Sequence, residues 1–149
     1  MTWDFSYGKP FDEEAEAYIL EKLSPGYIAG LTLLGGDPFE PENQRALYPF
    51  VKRVRERYPE KDIWCYTGYT YEDGGLKEPE VQTEVTRKLV SLLDVLVDGR
   101  YEEELKDIRL KFRGSKNQRV IDVKSSISGG RTVILFDEPI RTDYNKDRK

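Results

Sequence analysis

The hydrophobic positions of the chain follow two spacings, one that predicts helices and one that predicts buried strands. Apolar residues recur at helical spacing in three segments, which cover residues 11–23, 41–58 and 79–92. The first segment begins with acidic residues, as a helix N-terminus should, and a Ser-Pro-Gly turn follows it. Pro49 lies inside the second segment, so we expect that helix to be kinked or divided into two shorter helices.

Short and almost continuously apolar runs separate these helices and predict buried strands. The runs cover residues 27–34, 62–67, 95–97, 120–123 and 133–136. Residues 71–77 contain two adjacent glycines and are predicted to form a loop. Alternation of apolar strands with helices is typical of an α/β fold with a mostly parallel sheet covered by helices. We therefore predict one α/β domain over residues 1–140, followed by a polar tail at residues 141–149 that we expect to be disordered.

Each of the first three predicted strands ends in glycine together with a polar residue. Ligands of such sheets bind outside the carboxyl ends of the strands, so these ends are expected to line one cleft. Glycine lets a ligand approach the backbone closely, and bare carbonyls beside a carboxylate suit an ammonium group. A carboxylate and a guanidinium two residues apart could bind the hydroxyl and carboxylate groups of an adenosyl or amino-acid ligand. The candidate ligand-binding residues are Gly35, Gly36, Asp37, Thr67, Asp98 and Arg100.

A structural interpretation stays open for each of these features. Asp37 could simply lie at a strand-to-helix turn, and Asp98 with Arg100 could form a solvated ion pair. Cys65 lies in the middle of a predicted strand, where a lone cysteine is more often a small core residue than a nucleophile. The donor-rich segment 113–119 could hold an anion or the backbone of a partner, or could be a polar loop.

Composition excludes several classes of function. The 149 residues include no histidine and a single cysteine, which rules out a histidine-based catalytic triad and a disulfide within the chain. A net charge of −4 argues against nucleic acid as a partner, and no apolar run is long enough for a membrane span. The N-terminus has no signal-peptide pattern, so we expect a cytoplasmic protein. The glycine-rich fingerprints of dinucleotide and P-loop enzymes are also absent.

Five segments in this order resemble a known family, the activating proteins of the anaerobic (class III) ribonucleoside-triphosphate reductase. These proteins are radical S-adenosylmethionine enzymes. The resemblance extends from Thr2 to about Val123. The segments that carry it are Thr2-Trp3-Asp4-Phe5, residues 30–38 (GLTLLGGDP), residues 62–70 (DIWCYTGYT), residues 94–100 (DVLVDGR) and residues 113–122 (RGSKNQRVID).

The resemblance implies a fold, cofactors and a partner. In that family a Cys-x3-Cys-x2-Cys loop holds a [4Fe–4S] cluster that binds and cleaves S-adenosylmethionine, and the resulting radical takes a hydrogen from one glycine of the reductase. By this resemblance Gly35, Gly36 and Asp37 would receive the methionyl ammonium group, and Asp98 and Arg100 the methionyl carboxylate or the ribose. The end of the second strand, at Thr67, would lie near the ribose. Segment 113–119, with Asn117 and Arg119, would lie where the reductase enters the cleft.

The chain departs from the family pattern at its N-terminus. The cysteine loop of the family lies just upstream of the segment that matches Thr2-Trp3-Asp4, and this sequence begins there. We therefore expect an incomplete (βα) partial barrel that lacks its first strand and binds no cluster. We expect truncation rather than loss of the chemistry, since the other motifs are intact, and we expect the chain as given to be inactive. The alternative is a non-catalytic interaction module that docks on the large subunit of the reductase or self-associates.

Overall fold

A six-stranded sheet with helices packed against it forms the framework of the protein. The computed structural model describes residues 2–6, 13–26, 30–34, 36–110 and 112–136. The strands of the sheet are β1 (Thr2–Ser6), β2 (Gly30–Leu34), β3 (Asp62–Tyr66), β6 (Val95–Asp98), β7 (Arg119–Asp122) and β8 (Ile134–Phe136). The helices are α1 (Glu13–Lys22), α2 (Pro41–Arg57), α3 (Thr86–Ser91) and α4 (Val123–Gly129). A separate hairpin consists of β4 (Tyr71–Glu72) and β5 (Gly75–Leu76).

The sheet is mixed, with a parallel half and an antiparallel half. Its order is β1-β2-β3-β6-β7-β8. The first four strands are parallel to one another, and β7 and β8 are added antiparallel. The predicted α/β class is therefore confirmed. The sequence analysis assigned no strand to residues 2–6, yet this segment pairs with β2 in register from Thr2 with Gly30 to Ser6 with Leu34.

The two faces of the sheet differ in what covers them. Alternate residues of the strands, among them Leu31, Ile63 and Cys65, pack into one core with the apolar sides of the helices. The intervening residues lie on the other face, where Trp64 and Tyr66 are half-buried and pack against a small cluster of valines. Cys65 is 1% exposed, which confirms its interpretation as a core residue.

The structure corrects two details predicted for the second helix and for residues 71–77. Helix α2 is not divided at Pro49 but runs from Pro41 to Arg57, with buried side chains on both sides of the proline that hold it against the core. Residues 71–77 form the β4–β5 hairpin rather than a loop. Gly74 allows its tight turn with a φ of 84°, and Tyr71 and Leu76 anchor it in the core.

The predictions for residues 79–92 and 120–123 also need correction. A 3-10 turn at Pro79–Val81 and the short helix α3 replace one continuous helix. The hydroxyl of Thr83 accepts a hydrogen bond from the N–H of Val85, and this competing bond interrupts the helical pattern. Strand β7 ends at Asp122, whose carboxylate caps α4 by accepting a hydrogen bond from the N–H of Ser125 at 3.0 Å.

Some predicted features lie outside the described residues. These are residues 27–29 of the second predicted strand, Gly35, and the polar tail at residues 141–149. Within the described ranges, no helix is long and apolar enough to cross a membrane.

The side chain of Gln44 joins α2 to the segment that leads into α3. It is 0% exposed, and its amide nitrogen donates to the carbonyls of Phe39 at 2.8 Å and Val81 at 2.6 Å. Its amide oxygen accepts hydrogen bonds from the hydroxyls of Thr83 at 3.0 Å and Thr86 at 2.6 Å. The full hydrogen-bonding capacity of this buried amide is therefore used.

Replacement of Gln44 with alanine should destabilise the protein strongly. We expect Gln44→Ala to lower the free energy of unfolding by roughly 2–4 kcal/mol, because four buried or half-buried hydrogen bonds of the Gln44 amide are lost. Gln82→Ala is the matched control, since the exposed Gln82 donates one hydrogen bond to Leu76, and its loss should cost about 1 kcal/mol or less. Denaturant unfolding measures both values. Equal losses of unfolding free energy would show that the buried hydrogen bonds of Gln44 stabilise the fold no more than the single hydrogen bond of Gln82.

Candidate functional site

The carboxyl ends of β2, β3 and β6 open onto one cleft. It consists of two adjoining cavities of about 440 and 410 Å³, which share a wall made of residues 68–69 and 99–100. Volumes of this size are ordinary for small-molecule sites. Of the candidate residues, Asp37, Thr67 and Arg100 line one or both cavities, together with Asp98 and Asn117. The predicted convergence of the strand ends on one cleft is therefore confirmed. We call it the strand-end cleft.

Asp37 connects the end of β2 to the end of β3. Its carboxylate accepts hydrogen bonds from the hydroxyl of Thr67 at 2.7 Å and from the N–H of Gly68 at 2.9 Å. It also accepts one from the N–H of Phe39 at 3.0 Å, so it closes the turn into α2 as well. Three hydrogen bonds hold the carboxylate at the wall of the cleft, which fixes where a cationic ligand group would meet it.

The carbonyls beside Asp37 are also held in place. The side-chain amide of Asn43 donates to the carbonyl of Gly36 at 2.6 Å and to that of Asp37 at 2.9 Å. Gly36 is exposed, and Gly35 lies outside the described residues. The structure thus brings Asp37 and Thr67 together. The predicted roles of Gly35, Gly36, Asp37 and Thr67 toward an ammonium group or a ribose stay predictions.

Asp98 is buried and forms an ion pair with Arg119. Its carboxylate accepts from the Nε of Arg119 at 3.0 Å and from the Nη2 at 2.5 Å, and also from the N–H of Tyr71 at 2.7 Å. The side-chain hydrogen bond to Asp98 raises the pKa of Arg119. Sequence reasoning placed these two residues in different roles, one toward the ligand and one toward a partner. The structure brings them together in register, as the last residue pair of the β6–β7 ladder.

Arg100 differs from the other candidates because its side chain is exposed at the cleft. It lines both cavities, and no described residue makes a hydrogen bond or an ion pair with its guanidinium. The preceding residue, Gly99, has a φ of 97°, a conformation that favours glycine and turns the chain sharply at the strand end. A guanidinium in this position can bind a carboxylate through two parallel hydrogen bonds.

Several polar residues at the cleft were not identified from the sequence. The hydroxyl of Tyr69 donates to the carboxylate of Glu40, and this hydrogen bond raises the pKa of Tyr69 to about 12. Glu78 accepts from the N–H of Thr70 at 2.9 Å and from its hydroxyl at 2.8 Å. The only signal in the sequence was that Tyr69 and Thr70 follow directly after the end of a strand.

Comparison with known families identifies the matching region. A family profile described as "4Fe-4S single cluster domain" matches residues 1–121. Iron–sulfur clusters are held mainly by cysteine thiolates, and this sequence has one cysteine. Burial raises the pKa of the Cys65 thiol well above its ordinary value, so the residue is a protonated core side chain. The described residues also contain no cluster of three potential metal ligands. The residues of this chain therefore do not fit the cluster.

Curated proteins from bacteria and a phage are similar over most of the chain. The protein from Pasteurella multocida is 46% identical over 119 residues, which are 78% of this chain and 72% of that protein. The protein from Enterobacteria phage T4 is 40% identical over 119 residues, or 80% and 69% of the two chains. The Escherichia coli K12 protein is 38% identical over 121 residues, or 80% and 73%.

All three relatives are named anaerobic ribonucleoside-triphosphate reductase-activating protein. No solved structure matches the chain significantly. The similarity covers the segments that form the strand-end cleft, from β1 to β7. The extent and level of identity show that this chain belongs to the family of anaerobic ribonucleoside-triphosphate reductase-activating proteins.

Proposed function

We propose that the chain is the S-adenosylmethionine-binding body of an activating protein that acts on an anaerobic ribonucleoside-triphosphate reductase. In this proposal its sheet belongs to a partial barrel of the radical S-adenosylmethionine type. The observation that supports it is the strand-end cleft, where Asp37 and Arg100 share one cavity in a chain of this family.

The cleft offers complementary groups for a ligand with both charges. S-adenosylmethionine carries an ammonium, a sulfonium and a carboxylate. The Asp37 carboxylate would meet the ammonium, and the Arg100 guanidinium would bind the carboxylate. Thr67, which follows β3 directly, lines the same cavity, and Tyr66, Tyr69 and Tyr101 add aromatic surface to the wall. Asp98 is 1% exposed and engaged by Arg119, so it would act on the ligand indirectly, through the cleft wall.

We assign the family reaction to an activating protein that holds the cluster, and not to this chain by itself. By the resemblance above, that reaction generates a glycyl radical on the reductase. Because the residues present do not fit a [4Fe–4S] cluster, no step that depends on the cluster is assigned to them. We therefore propose that the chain as given is inactive by itself and contributes the cofactor-binding surface.

Arg100→Ala should weaken binding of S-adenosylmethionine to the full chain by about tenfold, because one charged hydrogen-bonding partner of the ligand carboxylate is lost. Isothermal titration calorimetry measures the affinity. Arg87→Ala is the control, since Arg87 lines a different cavity, of about 300 Å³, between the β4–β5 hairpin and α4. Saturable binding with the same affinity in Arg100→Ala would show that Arg100 does not bind the ligand carboxylate. If the parent chain shows no binding, the proposed cofactor-binding role is refuted.

Anaerobic reconstitution with iron and sulfide tests the statement about the cluster. We expect the 149-residue chain to stay colourless after desalting and to retain less than one iron per chain, and Cys65→Ala to behave identically. The physical reason is that a single buried, protonated thiol cannot replace three thiolate ligands. A brown protein with four irons per chain would overturn this expectation.

A second candidate function is supported by exposed apolar side chains next to the cleft. Tyr101, Leu105, Ile108 and Phe112 are between 37% and 89% exposed, and we call them the apolar ridge. The ring of Phe112 meets that of Trp64 edge-on, with 4.9 Å between the centroids, so the ridge continues onto the sheet face opposite the described helices. Exposed apolar surface of this kind is typical of interaction sites. The candidate is a non-catalytic module that docks on the reductase or on a second copy.

Ile108→Asp should weaken such an interaction by about tenfold or more, because Ile108 is 89% exposed, the highest exposed fraction in the apolar ridge. Calorimetry with the reductase and light scattering of the chain alone measure the two forms of association. Ile127→Asp, on α4, is the matched control, because Ile127 is also exposed, at 43%. Equal effects of the two substitutions would exclude the apolar ridge as the contact.

A further inference from the structure

The turn that carries Arg100 is held by three hydrogen bonds to its backbone groups. The N–H of Gly99 donates to the carbonyl of Tyr69 at 2.9 Å. The carbonyl of Gly99 accepts from the side-chain amide of Gln118 at 3.0 Å, and the carbonyl of Arg100 accepts from that of Asn117 at 2.7 Å. The turn is therefore fixed on two sides, by the end of β3 and by the segment before β7.

The two amides that hold the turn are themselves fixed. The side-chain oxygen of Gln118 accepts from the N–H groups of Gly114 at 2.9 Å and Ser115 at 3.1 Å. The side-chain oxygen of Asn117 accepts from the hydroxyl of Ser115 at 2.6 Å, and Ser115 is 0% exposed. Each amide thus bonds to the loop around Ser115 at one end and to the turn at the other, so neither can rotate without the loss of both bonds.

The base of this arrangement is the Asp98–Arg119 ion pair. Asp98 immediately precedes the turn and Arg119 immediately follows the two amides, and the two residues face each other at the end of the β6–β7 ladder, with Asp98 buried. A side chain at Gly99 would bring its Cβ to 3.4 Å from the backbone of Asn117 and Gln118. The turn and the segment that carries the two amides are therefore in direct contact.

We propose that Asn117 and Gln118 are positioning residues that hold the Gly99–Arg100 turn so that the Arg100 guanidinium stays over the strand-end cleft. The inference rests on the proposed function, in which Arg100 binds the ligand carboxylate. A guanidinium on a fixed backbone binds with less loss of conformational freedom than one on a mobile turn. The two amides set ligand affinity through Arg100 without touching the ligand.

This role also accounts for the donor-rich character of segment 113–119. Its side-chain donors at Arg113, Asn117, Gln118 and Arg119 are directed to groups of this chain, at Gln118, Arg100, Gly99 and Asp98 in turn. The predicted contacts of Asn117 and Arg119 with a partner stay predictions. In this structure both side chains serve the wall of the cleft.

A double-mutant cycle with Arg100 tests the proposal. We expect Asn117→Ala and Gln118→Ala each to weaken S-adenosylmethionine binding to the full chain by about threefold to tenfold. In the Arg100→Ala background the same substitutions should have no further effect, because the group that they position is gone. Lys116→Ala is the matched control in the same loop, since its exposed side chain makes no hydrogen bond to the turn.

Amide hydrogen exchange supplies a second measurement on the same variants. We expect faster exchange at Gly99 in Asn117→Ala than in the parent chain, with unchanged protection in the centre of β3. Affinity that is unchanged by both amide substitutions, or lowered equally in both backgrounds, overturns the positioning role alone. If the parent chain does not bind S-adenosylmethionine, the proposed function fails and this inference fails with it, so the two failures are distinguishable.

Discussion

The geometry of the cleft depends on one buried carboxylate, that of Asp98. It joins three parts of the chain, since it belongs to the last residue of β6, accepts from the N–H of Tyr71 in the hairpin and forms an ion pair with Arg119 of β7. The Asp98 carboxylate is 1% exposed, whereas the Arg119 side chain is 33% exposed. Such a pair adds little net stability over an apolar pair, but loss of Arg119 would leave a buried carboxylate without its cationic partner. This makes the pair a constraint on arrangement more than a source of stability. The hairpin, the strand-end turn and the loop before β7 are ordered around it.

How far the sequence predicts the site depends on the range of the interactions involved. The meeting of Asp37, Thr67 and Arg100 follows from a general property of parallel strands, so glycine-terminated apolar runs were enough to predict it. The pairing of Asp98 with Arg119 was not predictable, because 21 residues separate them and their register is set by the antiparallel addition of β7. The β4–β5 hairpin was missed because two-residue strands show no periodicity. Helix α4 was missed because it begins directly after β7 within one apolar run.

The residues at the cleft differ from those that the family's cluster chemistry requires. Similarity to the activating proteins covers the segments around the cleft, while the single thiol is 1% exposed and lies in the core with the helices. The groups that face the cleft are carboxylates, hydroxyls, aromatic rings and one exposed guanidinium. They suit recognition of a charged organic ligand, whereas an iron–sulfur cluster is held mainly by cysteine thiolates.

The alternation of side chains along β3 has a consequence for folding fidelity. Ile63 and Cys65 face the helices, and the much larger Trp64 and Tyr66 face the other way. A slip of the strand by one position would drive two bulky rings into the space of a thiol and an aliphatic side chain, and would expose the smaller pair. Such a mispaired sheet would be strongly disfavoured sterically. The difference in size between neighbouring side chains therefore favours the native register of β3. In that register Thr67 lies next to Asp37.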